Sequence, residues 1–233
     1  MTFILCIETS TTVCSVSVSG DGELMSLREV RDAKSHASQL TPFITEVLTE
    51  SGIKPHDLHA IAVSKGPGSY TGLRIGVSTA KGLAFALKIP LISVGTLLSM
   101  ASGFLDKNPD FSGDSSLLLC PMIDARRMEV YSALFDTHLK EFRKIQAEII
   151  HEESFLNLFN EHKIHFFGDG AMKCSSLVLN KSAIFHPDFH PSAKYMGKLA
   201  HKQFTDEKFE DLAYFEPFYL KDFVATIPAN KLL

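Results

Sequence analysis

The sequence predicts an α/β protein folded as two lobes, and three observations predict it. Both halves of the chain open on one pattern: an apolar run, a polar turn bearing a carboxylate, and a second strand. Short apolar strands then alternate with helical stretches, as they do where helices cover sheets. Between the halves, Asp106-Lys-Asn-Pro-Asp-Phe-Ser-Gly-Asp-Ser-Ser116 is rich in turn formers and reads as a link, which sets the lobes at 1–105 and 106–233.

In the first lobe, Phe3 to Ile7 is a compact apolar run, the mark of a buried strand. Val13 to Val18 alternates Val13, Ser15 and Ser17 with Cys14, Val16 and Val18, which predicts a half-exposed strand. Glu8-Thr-Ser-Thr-Thr12 between them is a polar turn whose hydroxyls can serve backbone donors. After the Gly20-Asp-Gly22 turn a third strand runs from Glu23 to Arg28. Behind Ser35, residues Leu40, Phe43, Ile44, Val47 and Leu48 recur at helical offsets, with Gly52 as the stop. Pro42 predicts that the regular part of this helix begins late. Ala60 to Val63 is a short strand. Lys65-Gly-Pro-Gly-Ser-Tyr-Thr-Gly-Leu-Arg-Ile-Gly76 then opens a helix from about Gly72 to Leu87 with Leu73, Val77, Ala80 and Ala84 on one side, and Leu91 to Val94 is the next strand.

The second lobe repeats the opening. Leu117 to Ile123 is apolar, Asp124-Ala-Arg-Arg127 is the acid-bearing turn, and Glu129 to Phe135 is the second strand. Glu152 to Phe159 reads as helical, Ile164 to Phe167 as a strand, Gly168-Asp-Gly170 as a tight turn, and Tyr195 to Gln203 as another helix. The tail gathers Tyr214, Phe215, Phe218 and Tyr219, too apolar to remain in water, and is expected to dock on the first lobe or on a partner.

Composition narrows the function. Hydrophobic residues make up 45% and charged residues 21% of the 233, the balance of a packed protein. A net charge of −4 argues against an independent nucleic-acid binder, because Lys and Arg on phosphates supply most of that affinity. Cys6, Cys14, Cys120 and Cys174 form no CxxC pair, so neither a zinc site nor a disulfide framework is indicated. The N-terminal residues reach Glu8 after a very short apolar run without a basic segment, unlike a signal peptide, and no stretch has the length of a membrane span. The cytoplasm is the expected location.

The glycine loop allows two readings. Its amides, with Gly66, Gly68 and Ser69, could cradle an anion at the start of a helix, or the loop is a plain strand-to-helix turn. It matches neither the P-loop nor the dinucleotide fingerprint. Gly72, Gly76, Ala80 and Ala84 leave a smooth ridge, fitted to another helix or to this lobe's own sheet. Glu8 and Asp124, on matching turns, could face one cleft together with Ser10 and Gly168 and there meet a nucleotide or magnesium ion. His36 has no partner at i+4 and reads as an exposed or capping residue. Among the ten histidines none stands in a visible triad with Ser and Asp.

Taken together, Ile7-Glu-Thr-Ser10, Gly66 to Gly76, Lys81-Gly-Leu-Ala84 and Ile123-Asp-Ala-Arg-Arg127 resemble the TsaB (YeaZ) family, strongest up to about residue 135. The resemblance implies the two-lobed fold of actin, sugar kinases and Hsp70, each lobe a mixed sheet flanked by helices. It implies a non-catalytic scaffold in bacterial synthesis of tRNA N6-threonylcarbamoyladenosine, paralogous to the transferase subunit TsaD. ATP and metal are then expected on TsaD, with no cofactor here. In TsaD acidic residues follow the Glu-Thr-Ser turn, where this chain has Thr12 and Val13. A metal-binding histidine pair there is matched here by Thr96 and Met100, neither able to replace imidazole, and a later Asp-Asn-Gly has no counterpart near Lys221 to Leu233.

The family pairs with TsaD, or with itself when TsaD is missing, through the two helices flanking the glycine loop. This maps the interface to Leu40, Phe43, Ile44, Val47, Leu73, Gly76, Val77 and Ala80. TsaE joins the pair, tRNA is reached only through the complex, and no membrane is involved. The family's frequent Pro-x-Tyr-Leu-Arg ending reads Pro217-Phe-Tyr-Leu-Lys221 here. The rival reading is an ATP-dependent phosphotransferase or ATPase built on Glu8, Asp124 and the Gly168 turn; a metallopeptidase would need ligands that the sequence does not offer.

Overall fold

The computed structural model describes residues 1–32 and 36–220. Ser35, the expected helix start, and the segment from Lys221 to Leu233, including the last residue of the tail motif, lie outside the described residues.

The first five-stranded sheet has the order β3-β2-β1-β4-β5. Its strands are β1 (Phe3–Glu8), β2 (Val13–Gly20), β3 (Glu23–Arg31), β4 (Ala60–Gly66) and β5 (Leu91–Gly95). β1, β2 and β3 form an antiparallel meander, while β4 and β5 add parallel to β1. The parallel connections run through α1 (His36–Ser51) and α2 (Tyr70–Leu87), as expected of strands that must cross over to pair in parallel. The second sheet holds β6 (Leu117–Asp124), β7 (Glu129–Phe135), β8 (Glu141–Ile149), β9 (Lys163–Phe167) and β10 (Ala183–His186) in the order β10-β9-β6-β7-β8. α3 (Thr96–Lys107) leaves the first sheet and packs on the second.

One face of the first sheet presents Leu5, Ile7, Cys14, Val16, Val18, Ile61 and Val63 to α1 and α2. Leu40, Ile44, Val47 and Leu48 seat α1 there, each such side chain contributing roughly 1.5–3 kcal/mol on burial. That apolar stripe holds the helix through Pro42, which faces solvent, so α1 begins at His36 and not late as the proline predicted. The sheet's other face is covered by α4 (Gly197–Thr205) and the turn before it, with Ala193 N–H donating to Ser15 Oγ at 2.7 Å. β2 is therefore buried on both faces, and the half-exposed strand read from its alternation is a correction: its serines lie under residues 193–200.

The predicted helix at 152–159 is also corrected. Residues 152–161 form successive turns, because Phe155 takes a left-handed φ of 70° that no α-helix accommodates. That conformation sends its ring inward against Phe166 at 5.1 Å. The second sheet carries residues 150–178 on one face and α3 with Phe189 and Tyr195 on the other. Among the described residues no helix is long and apolar enough to cross a membrane.

Candidate functional site

Glu8 ends β1 and is fully buried. Its Oε1 accepts the Ser10 N–H at 2.6 Å and the Ser64 hydroxyl of β4 at 2.9 Å, while Oε2 has no hydrogen-bond partner in the structure. Burial pushes its carboxyl above the usual range, against the opposing pull of the Ser10 and Ser64 hydrogen bonds and of the charge on His36. His36, expected to be exposed or capping, is instead buried.

The glycine loop closes over this turn. Ser69 N–H donates to the Ser10 carbonyl at 2.6 Å, and the Thr9 hydroxyl donates to the Gly72 carbonyl at 2.8 Å. A Cβ on Gly68 would lie 2.2 Å from Ser10 O, on Gly72 2.1 Å from Thr9 O, and on Gly76 2.2 Å from Thr9 Oγ1. The glycines thus let α2 lie directly against the β1–β2 turn. Ser69 caps the helix by accepting the Gly72 N–H at 3.3 Å. On the loop's outer side Gly66, at φ 107°, passes close to the Phe218 carbonyl, and Phe218 N–H donates to Lys65 O at 2.7 Å. Gly66, Gly68 and Ser69 pack on the hairpin turn and the tail.

The second acid-bearing turn is built differently. Asp124 is exposed, pairs with Lys173 and accepts the Arg126 N–H at 2.8 Å. Its own N–H donates to Asp169 at 3.0 Å, and burial raises the Asp169 carboxyl despite that bond. Gly168, at φ 108°, fits against the Met122 carbonyl, where a Cβ would sit 2.1 Å away. Glu8 and Ser10 are fully buried whereas Asp124 is exposed, and among the described residues the two turns share no hydrogen-bond partner. Between β2–β3 and residues 188–195 the cavity measures about 40 Å³, room for little more than a water. Thr96 and Met100 are fully buried, and Met100 packs its methyl against Gly168.

The mapped interface residues also move. Leu40, Ile44, Val47, Leu73, Gly76, Val77 and Ala80 are buried in this chain's own core and Phe43 packs against it, because the apolar stripe of each helix covers the sheet. The outward face of α2 carries Arg74, Ser78, Lys81 and Phe85 instead. Lys81 Nζ donates to the carbonyls of Ala213 at 3.3 Å and Phe215 at 3.0 Å, strapping the tail to the helix. Phe215 enters the core and Tyr219 stacks on Tyr70 at 5.0 Å, with the Arg74 guanidinium 4.3 Å from the Tyr70 ring. Tyr214, expected to dock, is 85% exposed, and Phe85 on α2 is 77% exposed. Sequence reading missed Phe85 because it looked only for the buried stripe; its i,i+4 spacing from Lys81 is the signal that finds it.

A family model described as TsaD, tRNA N6-adenosine threonylcarbamoyltransferase, matches residues 31–229. The tRNA threonylcarbamoyladenosine biosynthesis protein TsaB of Escherichia coli (strain K12) is 34% identical over 233 residues, covering 95% of this chain and 96% of that protein. The Haemophilus influenzae protein of the same description is 27% identical over 228 residues, covering 94% and 93%. YeaZ from Pseudomonas aeruginosa superposes with a TM-score of 0.80 at 24% identity, over 94% of this chain and 100% of that one. An activator of 2-hydroxyisocaproyl-CoA dehydratase from Clostridium difficile, solved with ADPNP, shares 7% identity over 90% of this chain and 98% of its own at a TM-score of 0.51, a likeness of fold alone. The fold is the two-lobed actin-like one, and the chain belongs to the TsaB (YeaZ) family of tRNA threonylcarbamoyladenosine biosynthesis proteins.

Proposed function

We propose that this chain is a non-catalytic accessory subunit for synthesis of tRNA N6-threonylcarbamoyladenosine, and that it pairs with TsaD through the outer face of α2 and the tail strapped to it. The observation that carries this reading is the exposure of Phe85 on α2 and of Tyr214 in the tail that Lys81 straps to this helix, with Tyr70, Arg74 and Tyr219 in mutual contact nearer its start. Clustered exposed aromatics with Arg are the composition of interface cores. The packing of Gly68 and Gly72 directly on the hairpin turn supports the same reading, in which ATP and metal are held by TsaD. TsaE then joins the pair, tRNA is met through the complex, and the same surface serves a homodimer when TsaD is absent. The units 1–105 and 106–233 act as the two lobes of a cytoplasmic scaffold.

Light scattering on the chain mixed with its cognate TsaD tests this. A heteromer is expected, and the mixture should modify tRNA faster than TsaD alone. Phe85→Ser combined with Tyr214→Ser should weaken pairing at least about tenfold while the chain's own melting stays unchanged, both side chains being exposed. Full-rate modification by TsaD without this chain, or ATP turnover by the isolated chain, overturns the reading.

A further inference from the structure

The first sheet has a second recess, at the end opposite the glycine loop. β1, β4 and β5 run parallel, and their starting ends meet an open cavity of about 780 Å³. Four rings wall it in sequence. Phe3 lies 5.9 Å from His59, His59 meets Phe204 edge-on at 6.4 Å, and Phe204 lies 5.8 Å from Phe209. His59 Nδ1 accepts the Phe3 N–H at 3.2 Å, so the neutral ring carries its proton on Nε2.

Two carboxylates complete the lining, Asp57 and Glu207, and none of the lining residues is Lys or Arg. Asp57 is held by the Lys54 N–H at 2.9 Å. Glu207 makes no side-chain hydrogen bond or ion pair to the described residues, and its backbone sits at a left-handed φ of 53°. The segment around it is fixed, with Lys208 N–H on Gln203 O at 2.9 Å and Glu210 N–H on Leu91 O at 2.8 Å.

We propose that this recess binds a small organic cation, an ammonium or guanidinium compound carrying an apolar or aromatic body. The recess has the volume of a small-molecule site. Ring faces attract a cation laid over them, and the exposed Glu207, whose side chain has no partner among the described residues and whose backbone segment is fixed, supplies the charge-assisted hydrogen bond or ion pair. The lining has two carboxylates and no Lys or Arg, its other titratable groups being the imidazoles of His59 and of His56, whose Nε2 lies 3.6 Å from Asp57 Oδ1; a purely apolar ligand would strip water from both carboxylates. The recess shares no residue with the outer face of α2, so it stands apart from the accessory reading.

The test is an NMR titration of the full chain, following the His59 imidazole and the phenylalanine rings. The probes are phenylguanidinium and benzyltrimethylammonium, with benzyl alcohol and benzoate as neutral and anionic matches. Both cations should saturate the site at least about tenfold more tightly than benzyl alcohol. Glu207→Gln should weaken both about tenfold and Phe209→Ala, whose ring is partly exposed, about threefold, with no change in melting temperature from either. Equal affinity for benzyl alcohol, preference for benzoate, absence of saturation, or cation binding unaltered in Glu207→Gln overturns the proposal. Complex formation with TsaD is unaffected by either result, so the two readings fail separately.

Discussion

The two sheets share one topology and differ in what connects their strands. The first reads β3-β2-β1-β4-β5 and the second, from its other edge, β8-β7-β6-β9-β10, so each is an antiparallel meander extended by two parallel strands. In the first, the parallel crossovers are helices of 16 and 18 residues. In the second they are successive turns with a single 3-10 turn at Met172–Cys174, yet their residues still fill a core with Phe155, Phe159 and Val178. A crossover must cover a sheet face, and need not be helical to do so. A regular helix matters where small residues must recur every four positions: Gly68, Gly72 and Gly76 bring α2 onto the first acid-bearing turn and bury Glu8, while Gly168 and Gly170 have no helix to extend them and Asp124 stays in water.

Substitution along α2 gives the sharpest break in that contrast. Gly72→Ala drives a methyl to 2.1 Å from a backbone oxygen that cannot move aside, whereas a Cβ on Gly82 meets nothing within 4 Å. Gly72→Ala is expected to destabilise by about 3 kcal/mol or to abolish folding. Gly82→Ala, in the same helix, is expected to stabilise by about 0.5–1 kcal/mol. Urea midpoints read both. Equal stability for the two variants would mean that the close approach to Thr9 is not what this glycine serves.

The two carboxylates come next. Because burial raises the Glu8 carboxyl in the folded state, its stabilising contribution is complete below the ordinary carboxylate pKa and declines as pH rises through the folded value. Glu8→Gln should therefore flatten the loss of stability toward neutral and alkaline pH, with a difference from the parent on the order of 1 kcal/mol at pH 8. Asp124→Asn removes an exposed pair with Lys173 and should change stability by less than about 1 kcal/mol at any pH. A pH slope unchanged by Glu8→Gln would show that its ionisation is not linked to folding.

How much of this was legible follows from where each signal resides. The strands β1 to β7 and β9 were readable because apolar runs and period-two alternation need no tertiary context. α3 was not: it lies between the two sheets and is buried almost all round, with Ser99, Ser102 and Gly103 among its buried positions, so its small polar residues do not mark an outer face. β8, Glu141-Phe-Arg-Lys-Ile-Gln-Ala-Glu-Ile149, is an edge strand whose polar residues mask its pattern. The glycine signature marked the site, but the direction of α2 within it was hidden. Only the tail, brought back from the far end of the sequence by Lys81, distinguishes the outer face from the core face.

A further effect separates the lobes by the sign of their response to pH. At the edge of the second sheet, His165 Nδ1 and His186 Nε2 share one hydrogen bond at 2.9 Å between stacked rings, among Phe104, Phe111 and Phe167. Burial, then the charges of His186 and Lys163, holds His165 down to about 4 from 6.5, and burial lowers His186 as well. A depressed folded value stabilises above the unfolded pKa, so this contribution is complete above pH 6.5 and lost as pH falls toward 4. On going from pH 7 to 5 the parent should lose about 1 kcal/mol more than His165→Gln, with the β10 amides gaining hydrogen exchange first. Identical acid limbs in parent and variant would leave the pair as packing alone; a difference confined to the acid side would set this lobe against the first, whose buried Glu8 weakens the fold in the opposite direction of pH.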